Sequence, residues 1–222
     1  MSESPQVYII FGIPDSERRA TLYDLIESGL PKDSPALYFK PKSESDNPFD
    51  EKIAALENLQ CVLWELRENK VQHERIEAPA EAIFFLTPGT ADPADSAEAI
   101  KTWSDNNDCQ IARGITLVHC DFLQANPAAQ PWFEACIHFS DFVLLAQREN
   151  TPQKWIKAFQ TQFSKAHVPS RFELIKKGRP PNSCSLVFAM LSGASMIKVP
   201  SNQKLRGSAA IMETLTASRM MK

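Results

Sequence analysis

Four positions in the stretch FGIPDSERRATL limit what chemistry it can do. Gly12, Glu17, Arg18 and Arg19 stand where a loop of the form GxxxxGK[ST] has G, G, K and S/T. Such a loop holds a polyphosphate because glycines let backbone amides converge on phosphate oxygens, lysine adds a point charge and the hydroxyl ligates magnesium. Only the first glycine is kept. Pro14 has no amide hydrogen, and Asp15 and Glu17 bring carboxylates toward the phosphate position. Like charges about 4 Å apart cost roughly 1 kcal/mol in water and about 4 kcal/mol at an effective dielectric near 20. The favoured reading is a structural turn in which Asp15 or Ser16 caps a helix and Glu17 favours its positive end. The alternative is that Arg18 and Arg19 hold phosphate bidentately.

Two other groups carry residue types that bind metals. Cys61 is followed by Leu63 and Trp64, and His119, Cys120 and Asp121 are consecutive at an expected strand end. Soft metals need several thiolates, and neighbours in an extended chain point to opposite faces. We therefore expect Cys61 to be packed and assign no metal, with Cys61, His119 and Cys120 as second-rank candidates. The five cysteines are widely spaced without a CxxC pair, and His73, His138 and His167 accompany no nucleophile elbow or HExxH. No catalytic residue is assigned.

Elements must position these groups. Short apolar runs at 6–11, 36–39, 82–86, 115–119, 142–145 and 172–175 read as strands, and 17–28, 49–70, 93–106, 127–139 and 152–166 read as helices. In the second helix Ile53, Leu56, Leu59, Val62, Leu63 and Leu66 recur at three-to-four-residue spacing. Pro93, Pro127 and Pro152 fall where a first-turn proline is tolerated. This alternation predicts an α/β fold: a doubly wound, mostly parallel sheet with helices on both faces, whose ligand loops follow the carboxyl ends of strands. After Lys176 the pattern breaks at GRPPN; an apolar patch at 186–191 and a short helix or tail at 206–222 follow.

Composition narrows the partners. A net charge of -3 with dispersed basic residues excludes a nucleic-acid or anionic-membrane footprint. With no apolar run long enough to span a bilayer and no signal pattern in MSESPQ, the expected location is the cytoplasm. Seven glycines against 16 prolines ill suit a protein built on glycine-rich phosphate loops.

FGIPDSERRATLYDLIESGL resembles the phosphate loop and first helix of the CobW/UreG/HypB-type metallochaperone GTPases, the CobW-like branch in particular. QCVLWELREN resembles that branch's CxCC metal motif, FFLTPGTADPADSAEAI its third-strand turn, and ITLVHCDFLQ and CIHFSDFVLLAQREN the strands leading to the guanine-reading NKxD. The matches run in order over about residues 6–178, which implies a P-loop NTPase-like domain at 1–178 and an extension or tail at 179–222.

The departures fall on the chemistry. The vestigial phosphate loop is Gly12, Ser16, Glu17, Arg18 and Arg19. The vestigial third-strand loop is Leu86, Thr87, Gly89 and Asp92, with Leu86 at the acidic position. The vestigial base reader is Ala146, Gln147 and Glu149, with Arg148 between them. The resemblance thus implies a domain that has lost GTP hydrolysis and the metal motif, and that acts by binding another protein. No cofactor is expected. GTP or another NTP with magnesium, held by Arg18 and Arg19, is the alternative.

Overall fold

A computed structural model of the chain describes residues 4–181 and 183–188. In chain order the elements are β1 (Gln6–Phe11), α1 (Arg18–Gly29), β2 (Ala36–Pro41), α2 (Pro48–Ala54), β3 (Leu59–Arg67), β4 (Lys70–His73), β5 (Ala82–Leu86), α3 (Pro93–Asn106), β6 (Gln110–His119), α4 (Cys120–Ala125), a 3-10 turn (Pro127–Ala129), α5 (Gln130–His138), β7 (Phe142–Ala146), α6 (Gln153–Lys165), β8 (Arg171–Leu174) and α7 (Ser183–Phe188). The strands form one sheet in the order β4-β3-β2-β5-β1-β6-β7-β8. All pairs are parallel except β3 with β4.

Alternation along the central strands splits the core in two. Val7, Ile9 and Phe11 face α3, α4, α5 and α6, while Tyr8 and Ile10 face α1, α2 and α7. Burial on both sides explains the continuous apolar runs of β1, β5 and β7. Because parallel strands require crossovers, this order places helices on both faces, so the predicted doubly wound, mostly parallel α/β architecture is the observed one.

The expected helix at 49–70 is not formed. Asn47 and Asp50 make a capping box around Pro48 and start α2, which ends at Ala54. From Leu59 the burial period becomes two, with Val62 and Trp64 buried and Cys61 and Glu65 exposed. β3 pairs in register with β2, and Glu68 and Asn69, both at positive φ (50° and 56°), turn it into β4. A hairpin turn with two left-handed residues usually advertises itself by glycine. Glu-Asn does not, so a helix followed by a strand imitated one helical face.

The expected helix at 127–139 is divided into the 3-10 turn and α5, and α4 precedes it, started by His119 Nδ1 accepting from the Phe122 amide at 3.2 Å. Residues 183–188, expected in the C-terminal extension, form α7 against α1. Leu186 and Val187 are buried, Tyr8 donates to the Val187 carbonyl at 3.0 Å, and Ser183 hydrogen-bonds Asp24. The expected short helix or tail at 206–222 lies outside the described residues. No helix among the described residues is long and apolar enough to cross a membrane.

Candidate functional site

The loops after β1, β2, β5 and β7 surround a cavity of about 710 Å³ at the carboxyl ends of the strands. Its floor is the loop from Gly12 into α1. Gly12 adopts φ 143°, and a Cβ there would come within 2.8 Å of the Leu117 carbonyl and 2.9 Å of the Ser16 hydroxyl. Asp15 and Glu17 both lie in the left-handed region, at φ 65° and 64°. Position 17 is where the phosphate-loop pattern has its second glycine. The glycine-like conformation is present with a glutamate in that place.

The expected capping does not occur. Ser16 donates to the Ile13 carbonyl at 2.7 Å, and the N-cap of α1 is Glu17, which makes no side-chain cap. The Glu17 carboxylate accepts instead from the Gly178 amide at 2.9 Å. A left-handed Glu17 turns its side chain away from the first-turn amides and toward the loop after β8.

Arg18 and Arg19 are 3% and 8% exposed, and each is committed to partners within the chain. Arg18 Nη1 donates to the Thr87 carbonyl at 2.7 Å, and Nη2 meets Glu44 Oε1 at 2.6 Å. Arg19 Nη1 donates to the Ser45 carbonyl at 2.8 Å, Nη2 lies 3.4 Å from Glu44 Oε2, and Nε lies 3.3 Å from Asp50 Oδ1. Lys40 extends the network to Asp46 at 2.7 Å and Asp50 at 2.8 Å. Burial disfavours the Lys40 ammonium, but these two carboxylates outweigh it and raise its pKa. Glu44, Asp46 and Asp50 therefore neutralise Arg18, Arg19 and Lys40 one for one. The residue at the magnesium position, Arg19, offers a cation and no oxygen, so the residues present do not fit a magnesium ion.

The third-strand loop closes over the same floor. Leu86 is buried, Thr87 bonds back to the Ile10 carbonyl through both its amide (3.1 Å) and its hydroxyl (3.2 Å), and Asp92 caps α3 at the Ala94 amide (2.8 Å). The Gly89 amide donates to Glu44 Oε1 at 3.0 Å, and a Cβ on Gly89 would fall 2.4 Å from Pro14 Cδ. This glycine is required for close packing of the two loops.

Gln147, at φ 43°, also lines the cavity, as do Phe122 and Lys177. Ala146 is buried at the end of β7, and Glu149 is exposed and outside the lining. Asp121 fixes this loop by accepting from the Asn150 amide at 3.1 Å, the Asn150 side chain at 3.1 Å and the Thr151 hydroxyl.

The second-rank metal candidates are not brought together. Cys120 is in the core with Sγ 3.7 Å from the Val118 carbonyl, and burial pushes its thiol up to about 12. His119 is used as the α4 cap. Cys61, expected to be packed on a helix, is exposed on β3, because alternation sends Val62 and Trp64 inward. Trp64 fills the gap between β2 and β5, its indole donating to the Phe39 and Leu86 carbonyls at 3.1 Å each. Among the described residues no three His, Cys, Asp or Glu side chains group as a metal site.

Reading single motifs missed Glu44, Asp50 and Lys40. Their signal was the charge-rich run KPKSESDNPFDEK from the end of β2 into α2, which carries no catalytic spacing.

No family model matches the chain, and no curated protein matches it. Among solved structures it is similar to a Zn(II)-bound triple mutant of the YjiA GTPase, with a TM-score of 0.55 and 8% identity over 93% of this chain and 69% of that one. YjiA is a CobW-family GTPase, and the likeness shows a CobW-like fold.

Proposed function

We propose that this chain, built on a CobW-like P-loop fold, is a pseudo-GTPase domain that has given up GTP hydrolysis and the CxCC metal motif and acts as a binding or regulatory partner of another protein. The observation that carries the reading is the Glu44 carboxylate, which takes up Arg18, Arg19 and the Gly89 amide. Phosphoryl transfer is almost wholly positioning plus electrostatic stabilisation. Here the cations that would supply the latter already have counterions. The cavity lining adds Asp15, Glu17 and Asp46 to Glu44, so four carboxylates face three cations, Arg18, Arg19 and Lys177. A triphosphate entering it meets net negative charge.

The reading includes a cytoplasmic location and a partner that is neither nucleic acid nor membrane, the latter supported by the net charge of -3 and the dispersed basic residues. A metal-homeostasis context rests on the resemblance alone. One observation favours the alternative of an atypical NTPase: a cavity of about 710 Å³ opens on Arg18, Arg19 and Lys177 at the end of the sheet where such folds bind ligands.

Calorimetry of the full chain with GTP, ATP, GDP and ADP, with and without magnesium, separates the two. The pseudo-GTPase reading expects no binding at millimolar nucleotide. Saturable binding abolished in the Arg18→Ala/Arg19→Ala double variant would favour the alternative.

A further inference from the structure

Glu44 sits in the 42–47 loop between β2 and α2, and its partners come from elsewhere: Arg18 Nη2 at 2.6 Å, Gly89 N–H at 3.0 Å and Arg19 Nη2 at 3.4 Å. Two guanidinium groups and a backbone amide converging on one group are the donor set a tetrahedral oxyanion takes. The donors belong to the first turn of α1 and to the turn leading into α3, whereas the anion rides on a connecting loop.

Taking the carboxylate away exposes the logic of the contact. Arg18, 3% exposed with Glu44 in place, would keep only the Thr87 carbonyl at 2.7 Å, and the Gly89 amide would lose its partner. A buried cation without a counterion is strongly unfavourable, so this cradle demands an anion. Glu44 meets that demand from within the chain at an effective concentration on the order of millimolar or higher, as short tethers do. A free anion of millimolar affinity competes poorly against it.

We propose that Glu44 is an internal anion closing an oxyanion cradle made by Arg18, Arg19 and the Gly89 amide, and that the cradle binds a small tetrahedral oxyanion once the carboxylate is removed. The proposal rests on the reading that the natural chain does not hold nucleotide at this loop. It adds the reason, self-occupancy rather than loss of the donors.

The test is calorimetric titration of the full chain with inorganic phosphate at matched ionic strength, for the natural protein, Glu44→Ala and Glu44→Gln. Glu44→Ala is expected to bind phosphate at least tenfold more tightly than the natural protein. Glu44→Gln, uncharged but still space-filling, is expected to fall between them, and the gain is lost in Glu44→Ala/Arg18→Ala. Should Glu44→Ala fail to fold, the near-isosteric Glu44→Gln carries the comparison. Equal phosphate affinity in the natural protein and the folded variant overturns the proposal, as does a gain that survives removal of Arg18. Nucleotide titration of the natural protein is a separate arm: binding there removes the pseudo-GTPase reading, and its absence with no gain in the variants removes only self-occupancy.

Discussion

The Gly178 amide donates a 2.9 Å hydrogen bond to the Glu17 carboxylate across 161 positions of sequence, so the loop after β8 is tied to the first turn of α1. Glu17 makes this contact from φ 64°, a conformation that costs an ordinary residue roughly 1–2 kcal/mol. Replacing Glu17 by alanine removes the hydrogen bond and keeps the strain, whereas glycine removes both. Glu17→Gly is therefore expected to be more stable than Glu17→Ala by about 1 kcal/mol in urea denaturation. Equal stabilities would show that the backbone at 17 is not strained.

Trp64 is fully buried and its single N–H is shared by the Phe39 and Leu86 carbonyls. Phenylalanine would keep much of the apolar packing but leave both carbonyls without that donor. Trp64→Phe is expected to lower stability by about 2 kcal/mol, combining the lost hydrogen bonds with reduced volume. A loss within experimental error would mean that water or another donor takes over in this gap.

Asp121 gives a pH dependence with a definite sign. Burial opposes its ionisation, but hydrogen bonds from the Thr151 hydroxyl and from the Asn150 amide and side chain outweigh it and hold its pKa below the usual carboxylate value. A depressed folded-state pKa contributes stability that is present above the unfolded value, about 3.9, and is lost as pH falls through the lower folded value. Thermal unfolding between pH 5 and pH 2 is expected to show a shallower acid-side decline in Asp121→Asn than in the natural protein. An unchanged slope would count against the Asp121 contacts.

Thiol chemistry should follow the fold rather than the metal motif. Cys61 is exposed, while Cys120 and Cys136 are buried; desolvation raises all three thiols, Cys120 to about 12, so access sets the order. Because the thiolate is the nucleophile, iodoacetamide at mildly alkaline pH is expected to label Cys61 well before either buried thiol. Peptide mass spectrometry after timed quenching reads the order, and labelling of Cys120 as fast as Cys61 would contradict the burial.

Legibility in the sequence tracked how far each signal is local. β1, β5 and β7 were readable because strands buried on both faces are short unbroken apolar runs, and α3 was readable from Asp92 and Pro93 at its start. β3 and β4 were not, because a turn at Glu68 and Asn69 without glycine hid the hairpin. The positions of the phosphate loop could be aligned by Gly12 and the following helix. What its residues do could not be, because Arg18 and Arg19 are defined by Glu44 and Asp50, some 26 and 31 positions away, and no local pattern encodes such a contact. The capping expected of Asp15 or Ser16 failed for a related reason: two left-handed residues redirect the side chains before the helix begins.

The strand order has a consequence for how the chain assembles. β1 lies between β5 and β6, with Gln6 paired to Ala82 on one side and to Gln110 on the other. On a ribosome adding about 5–20 residues per second, the second neighbour follows the first strand by roughly 5–20 s. Until then a mostly apolar ribbon has an unpaired side. The earliest-made strand thus waits longest for its second neighbour, and the nascent polypeptide is most prone to misassociation during that interval.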